Sequence, residues 1–381
     1  MNISEFQKCS NCGACYNVCP PNAISVNSDG MFFVPTVNRA LCIDCSKCVD
    51  ICPANNSVNS NQPLAAFAGW NNDCNIVLGS SSGGAFWGIA QRVITNGGVV
   101  YAAVFSDRCH SVIFASSDER SLTEMMKSKY VESSVGYSFR EIRHMLEQHR
   151  EVLFCGTPCQ VAGLRNFLNK EYDNLITCDF ACGGLPSHKI FEDYLHELEA
   201  KHHSPAKKVD FRPKIFGWKR YAIRVLFDNG KEYIRLGTED PFLGSFLYGK
   251  YTVRDYCLSC KFPEAHLSDI TIADFWLHEK LSSLKNNSGI SLILCNSQKG
   301  IEAIQSMKAG YTMVEMDVDQ ASYNNHISYS RDRIEKHDQF IQYVSQHGLD
   351  AAYRKFLPSS LKDRLKNIII RTWFRDKDFS Q

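Results

Sequence analysis

Residues 9–20 read CSNCGACYNVCP and residues 42–53 read CIDCSKCVDICP. Each run is C-x2-C-x2-C-x3-C closed by proline: Cys9, Cys12, Cys15 and Cys19 before Pro20, then Cys42, Cys45, Cys48 and Cys52 before Pro53. Three thiolates, each separated from the next by two residues, can converge from one tight loop on three irons of a cubane. The fourth thiolate starts a helix that points away, so it completes the other cluster. The spacing therefore assigns Cys9, Cys12, Cys15 and Cys52 to one [4Fe-4S] cluster, and Cys42, Cys45, Cys48 and Cys19 to a second. Zinc ribbons pair C-x2-C across a longer gap, and disulfide frameworks lack this regular repeat.

This is the bacterial two-cluster ferredoxin pattern, and it predicts a small α+β ferredoxin-like domain over residues 1–60. Asn22–Val26 and Met31–Val37 read as short strands around a turn at Ser28-Asp29-Gly30. Ala54–Pro63, rich in Asn and Ser, reads as a linker. With 381 residues the chain is far longer than a ferredoxin, so the remainder should be what the clusters exchange electrons with. Lys+Arg is 42 against Asp+Glu 41, and this balance gives no pointer to nucleic acid. Seventeen cysteines are few for a disulfide scaffold of this length, and eight already have a metal reading, which favours a reducing cytoplasm. The first residues hold no apolar h-region and no run of 18 apolar residues occurs, so neither a signal peptide nor a transmembrane helix is expected.

From Leu64 the pattern turns mixed α/β, and residues 64–315 read as one domain. Apolar stretches at Ala65–Trp70, Val99–Phe105, Val152–Phe154, Leu175–Cys178, Ile270–Ala273 and Ile290–Cys295 are strand candidates. Ala85–Thr95, Ser138–His149, Cys159–Leu168 and Ser187–His202 have helical patterning. Tyr221–Phe227 and Glu232–Leu236 flank Asp228-Asn229-Gly230, a hairpin turn. Residues 316–381 read as a mainly helical extension.

Gly79-Ser80-Ser81-Ser82-Gly83-Gly84 precedes the helix at Ala85. Small residues let backbone approach a phosphate, hydroxyls add donors, and the helix N-terminus adds partial positive charge. The same sequence also suits a plain helix cap. Cys159, Cys182, Cys257 and Cys260 fall at strand-to-helix junctions and in a C-x2-C pair, where they can meet at one sheet edge. Spacing alone leaves a third cluster, a zinc site and four buried hydrophobes all open. Cys74, Cys109, Cys178 and Cys295 read as core residues, and Cys155 is ambiguous. Lys129 suits a phosphate or solvent equally. Asp274, beside Phe275 and Trp276, suits a flavin pocket or a strand end. His202 and His203 read as an exposed helix end. Ser359–Lys377 can form a basic amphipathic helix, with Leu361, Leu365, Ile368, Ile369 and Trp373 on one face and Lys362, Arg364, Lys366, Arg371 and Arg375 around it. Such a helix lies on a membrane or a partner, or packs on its own domain; the last is the expectation.

GSSSGGAF at Gly79, SKYVES at Ser128, LFCGTPCQVAGL at Leu153, CDFACGGLPS at Cys178, CLSCKF at Cys257 and SDITIADFW at Ser268 come in the order seen in the coenzyme F420 hydrogenase/dehydrogenase beta-subunit family, which the chain resembles over roughly residues 1–310. That family includes the beta subunits of deazaflavin-reducing hydrogenase and formate dehydrogenase, and 7-hydroxymethyl chlorophyll a reductase. The resemblance implies an α+β two-cluster domain, a mixed α/β flavin-binding domain and a helical C-terminal tail. It implies FAD near a third [4Fe-4S] cluster on Cys159, Cys182, Cys257 and Cys260. It places Gly79–Gly84 at the FAD, with Lys129, Thr157 and Asp274 as further candidates for the same cofactor. The implied function is an FAD-dependent iron–sulfur oxidoreductase working with a redox partner protein or a small hydride donor or acceptor, as a monomer or an oligomer. An electron-transfer subunit without its own substrate and a flavin-free scaffold are the alternatives. No residue is assigned as catalytic. The chain departs from the family pattern at Cys155, where Ser or Thr is usual, at Gly183-Gly184 in place of His-Gly, and at Ala273 and Leu277 in place of two glycines.

Overall fold

Val99–Phe105, Val152–Cys155 and Leu175–Phe180 are nearly continuous apolar runs, the pattern of strands covered on both faces. The fold is taken from a computed structural model that describes residue 3 and residues 8–56, 59–276, 286–323, 334–358 and 361–375. In chain order the strands are β1 (Ile24–Asn27), β2 (Val34–Val37), β3 (Ala65–Asn71), β4 (Val99–Phe105), β5 (Val112–Ser116), β6 (Ser133–Ser134), β7 (Val152–Cys155), β8 (Leu175–Phe180), β9 (Ala206–Asp210), β10 (Ala222–Phe227), β11 (Glu232–Leu236), β12 (Ile270–Asp274), β13 (Ser291–Cys295) and β14 (Tyr311–Met316).

Nine of them form one mixed sheet in the order β14-β3-β13-β12-β8-β7-β4-β5-β6. Its centre, β12-β8-β7-β4, is parallel. β13, β3 and β14 extend one side antiparallel, and β5 turns back on β4 at the other. Side chains alternate between two cores. Tyr101, Phe154 and Leu175 face Phe139, Ile142, Leu164 and Phe167 of helices Ser138–Glu147 and Pro158–Leu168. Val100, Leu153 and Ile176 face Ile89, Val93, Ala303 and Ile304 of helices Ala85–Thr95 and Gln298–Ser306. This period-two split gives a three-layer α/β/α arrangement. Ligands in such folds gather at the carboxyl ends of the parallel strands.

A second sheet, β11-β10-β9, is antiparallel, with the hairpin at Asp228-Asn229-Gly230 where expected. It packs Val209, Phe211, Val225 and Phe227 against Phe191 and Leu195 of helix His188–His202. Phe340, Leu349 and Ala352 of the following helices enter the same core, so the C-terminal extension is fused to the body. The boundary expected at residue 315 cuts β14, whose pairing with β3 runs to Met316.

Three expectations need correction. β5, β6, β9 and β14 are strands that the sequence reading did not include; β14 is a sheet edge whose YTMVEM pattern is only partly apolar. Cys74 is exposed rather than in the core, because Asp73 caps the short helix Cys74–Leu78 and leaves its first residue at the surface. Helix Leu361–Arg375 packs through Asn367 and Ile370, whereas Leu365, Ile368 and Ile369 of the expected packing face are exposed. Asn367 Nδ2 donates to Thr238 Oγ1 at 3.0 Å, which rotates the helix away from its apolar stripe. Leu277 and residues 359–360 and 376–377 of the basic run lie outside the described residues. His202 stacks on Phe227, with ring centroids 4.3 Å apart, and His203 ends its helix in a left-handed conformation. Among the described residues no helix is long and apolar enough to cross a membrane.

Candidate iron–sulfur and flavin site

The two cysteine runs fold alike because their backbones reverse at the same places. Asn11 and Gly13 have φ of 56° and 85°, and the matching Asp44 and Ser46 have 49° and 60°. Left-handed residues there curl the loop inward, and Asn, Asp and Gly tolerate that region best. Short helices Ala14–Val18 and Lys47–Asp50 then carry Cys19 and Cys52 across to the opposite loop. Cys9, Cys12, Cys15 and Cys52 line one cavity, and Cys19, Cys42, Cys45 and Cys48 line another. Asn11 N–H donates to Cys9 Sγ and Ala23 N–H to Cys19 Sγ, each at 3.3 Å.

A third cavity is lined by Cys159, Cys182, Cys257 and Cys260, with Pro158, Leu185, Tyr256, Phe262 and Pro263 around them. Thr157 starts the helix that carries Cys159. Its side chain accepts from Gln160 N–H in a capping box, Pro158 sits in the first turn, and its hydroxyl lies 3.1 Å from Cys159 Sγ. Ser10 lines both this cavity and the first, and its carbonyl accepts from Cys159 Sγ at 3.5 Å. Tyr256 lines the third cavity and lies near cysteines of both the first and the third set.

These donor sets fit metal clusters chemically. Burial, then the charges of Cys52 and Cys9, pushes the Cys12 thiol up to about 12. Burial and Cys182 push Cys260 up to about 12. Clustered buried thiols of this kind cannot ionise together without a cation among them, a charge that bound iron would supply.

The Gly79–Gly84 loop lies beyond β3, with SKY (Ser128–Tyr130) beside it. Ser81 Oγ accepts from Ser128 N–H at 2.8 Å, Ser80 Oγ donates to Ile76 O, and Ser82 Oγ donates to Ile290 O. Gly83 N–H donates to Ser291 Oγ at 2.9 Å. A Cβ at Gly83 would stand 2.4 Å from Gly69 O, so the loop needs glycine there to lie on the sheet. Lys214 Nζ donates to Val77 O at 2.5 Å and Ser82 O at 2.8 Å. Lys129 Nζ donates to Met126 O at 2.8 Å. Burial draws both ammonium groups down to about 7, helped at Lys214 by Arg212 and Lys127. Lys127 pairs with Asp210 at 2.5 Å. Asp274 pairs with Arg212 at 2.9 Å and accepts from Trp218 Nε1 at 2.9 Å, and Trp218 stacks on half-exposed Trp276 at 5.0 Å. The structure thus puts Gly79–Gly84 and Lys129 beside a cationic group that sequence reading missed: Lys127, Arg212 and Lys214, from segments with no shared motif. Thr157 points into its own helix cap, and Asp274 is engaged by Arg212.

Residues 149–320 match the family model for the C terminus of the coenzyme F420 hydrogenase/dehydrogenase beta subunit. Residues 8–56 match the 4Fe-4S dicluster domain. No curated protein matches the sequence. Among solved structures, a chain of the F420-reducing [NiFe] hydrogenase complex from Methanosarcina barkeri, studied by xenon derivatization, aligns at 12% identity with a TM-score of 0.48, covering 76% of this chain and 95% of that chain. Residues 8–56 are thus a 4Fe-4S dicluster domain, and residues 149–320 belong to the C-terminal family of coenzyme F420 hydrogenase/dehydrogenase beta subunits.

Proposed function

We propose that the chain is an FAD-dependent iron–sulfur oxidoreductase. The carrying observation is the chain of three four-cysteine cavities, the third sharing Ser10 with the first. In this reading Cys9, Cys12, Cys15 and Cys52, then Cys19, Cys42, Cys45 and Cys48, then Cys159, Cys182, Cys257 and Cys260 each hold one [4Fe-4S] cluster. Gly79–Gly84, Lys129 and Lys214 hold the phosphates of FAD. Cubanes carry single electrons and a flavin takes or gives hydride, so together they couple one-electron and two-electron traffic.

The residues present support this use. The Lys129 and Lys214 ammonium groups hydrogen-bond to carbonyls, and a bound phosphate would offset the cost of their burial. Arg212 is paired with Asp274 and Lys127 with Asp210, so Lys129 and Lys214 are the ammonium groups that meet a phosphate. Trp276 offers an aromatic face at the rim. Cys45 is exposed, with Leu41 and Ile43 exposed on either side of Cys42, and this gives a redox partner an apolar rim to dock on next to the outermost cavity.

The test is an anaerobic preparation assayed for iron, sulfide and flavin, then reduced separately with deazaflavin coenzyme, NADH, NADPH and reduced ferredoxin. Three cubanes require about 12 iron per chain, and one flavin should accompany them. Bleaching of the flavin by ferredoxin alone would assign entry to the N-terminal domain and make the chain a ferredoxin-dependent reductase. Bleaching by the deazaflavin would assign that hydride donor. Absence of flavin from a fully iron-loaded preparation would overturn the proposal in favour of a scaffold or a pure electron-transfer subunit.

A further inference from the structure

Cys155 ends β7 and Cys178 lies in β8, and the two are direct partners in that parallel pair. Their side chains stand on one face of the sheet, in the core with Leu153 and Ile176. The other face carries the Cys159 layer, and neither thiol lines a four-cysteine cavity. The Cys178 thiol lies beside Cys155 and donates to Asp179 O at 3.6 Å. Adjacent strands run about 4.8 Å apart, within the Cα separation of about 4.4–6.8 Å that a disulfide accepts. The two cysteines are not equivalent. Cys178 is fully buried, whereas Cys155 keeps 9% of its surface exposed. Cys155 leads through Gly156 toward the strand-end crevice, near Lys129 of the neighbouring loop.

We propose that Cys155 and Cys178 form a thiol–disulfide exchange site for low-molecular-weight disulfides, with Cys155 as nucleophile and Cys178 as the resolving thiol. Cys155 thiolate attacks one sulfur of RSSR, the S–S bond breaks, and RS⁻ leaves with the proton given up by Cys155. Cys178 then attacks Cys155 Sγ in the mixed disulfide, releasing the second RS⁻, which takes the Cys178 proton. One RSSR is reduced to two RSH while two protein thiols become one disulfide, so electrons and protons balance. The reverse exchange with RSH restores the dithiol. A thiol that keeps some exposed surface, backed by a second thiol on the paired strand, is what this chemistry requires. The pairing of the two thiols does not itself need bound flavin, although Lys129 near Cys155 is among the groups proposed to hold its phosphates.

The experiment uses the full, cluster-loaded chain equilibrated anaerobically in glutathione buffers of graded ratio, then quenched with acid, alkylated and digested with trypsin. Cleavage after Arg150, Arg165, Lys170 and Lys189 separates Cys155, on residues 151–165, from Cys178, on residues 171–189. A disulfide-linked pair of these peptides should rise with oxidised glutathione, fall with reduced glutathione, and vanish in Cys155→Ser and in Cys178→Ser. Cys155 should carry glutathione in the Cys178→Ser protein, and Cys178 should not in the Cys155→Ser protein. A link that survives in Cys155→Ser belongs to Cys159 and Cys182, which share the same peptides, and would overturn the proposal. Two free thiols at every ratio, with the cluster absorbance intact, would overturn it as well. Flavin content is read on the same samples, so loss of the flavin reading leaves this result interpretable.

Discussion

Asp179 carries its carboxyl into a place that resists charge. It is 2% exposed, and its Oδ1 has no hydrogen-bond partner. Burial raises its pKa to about 7, against the opposing pull of the Thr271 and Ser268 hydroxyls. An acid whose folded pKa lies above its unfolded value binds its proton more tightly in the fold. Its favourable contribution is complete below the unfolded value of about 4 and is lost as pH rises through about 7. The loss is on the order of 4 kcal/mol by linkage. Asp179→Asn, neutral throughout, should therefore unfold at a higher temperature than the parent chain at alkaline pH, with the difference closing in acid. A parallel fall of both proteins with pH, followed by the melting of near-ultraviolet circular dichroism, would count against it. Residues of this kind were not legible in the sequence. Cysteines were, because their chemistry and spacing repeat. Lys127, Arg212 and Lys214 were not, because their partners come from segments distant in the chain.

Helix Pro158–Leu168 shows what one missing side chain does for an element. A Cβ at Gly163 would lie 3.0 Å from Cys12 Cβ and 3.1 Å from Cys12 O and Sγ. The helix thus presents bare backbone to the first cysteine loop, and the N-terminal domain seats directly on it. Helix propensity alone favours Gly163→Ala by about 1 kcal/mol. The contact is with a backbone oxygen and a thiol fixed in a cavity wall, and overpacking costs about 1–3 kcal/mol, so the substitution should loosen the seat. The expected outcome is iron loss from the Cys9 cavity faster than from the Cys42 cavity, read as separate signals in electron paramagnetic resonance. Equal loss from both would show that Gly163 sets no distance. The helix itself was legible from its apolar spacing and from Thr157-Pro158, as were the inner strands with their long apolar runs. The sheet edges were not: β6 has two residues, and β14 shows a polar outer side. Which face Leu361–Arg375 would bury was misread because five basic residues flank its most apolar stripe, and the contact is made by Asn367 and Ile370 instead.

At the scale of the molecule, the two domains meet around a buried carboxylate, with Arg140 donating to Tyr16 O, Asn17 O and Cys19 O nearby. Glu132 is fully buried. Its Oε1 accepts from Phe33 N–H at 2.8 Å and His188 Nδ1 at 2.7 Å, and its Oε2 accepts from Arg254 Nη2 at 2.9 Å and Asn11 Nδ2 at 3.4 Å. Arg254 also donates to Cys9 O at 3.4 Å, and His188 Nε2 donates to Ser28 O at 3.0 Å while its ring stacks on Phe33 at 3.9 Å. Both nitrogens of His188 face oxygen atoms, and Arg254 brings Glu132 a buried cation. Asn11, Ser28 and Phe33 belong to the ferredoxin-type domain, and Glu132, His188 and Arg254 to the large one. In the proposed function, electron transfer between the cavities that meet at Ser10 would depend on this fixed seating. Removing one member of a buried charged set costs about 3–5 kcal/mol, because the others stay buried without an opposite charge. Glu132→Ala should therefore release the N-terminal domain while leaving each domain folded. Limited proteolysis should then cut within residues 54–63 much faster than in the parent chain, and reduction of the first two clusters should no longer pass to the third. Glu132→Gln keeps one acceptor oxygen but not the charge, so it should fall between the two. Unchanged cleavage in Glu132→Ala, with unchanged transfer, would place the interdomain hold in the packing of Tyr16, Gly163 and Val135 and not in the buried charges.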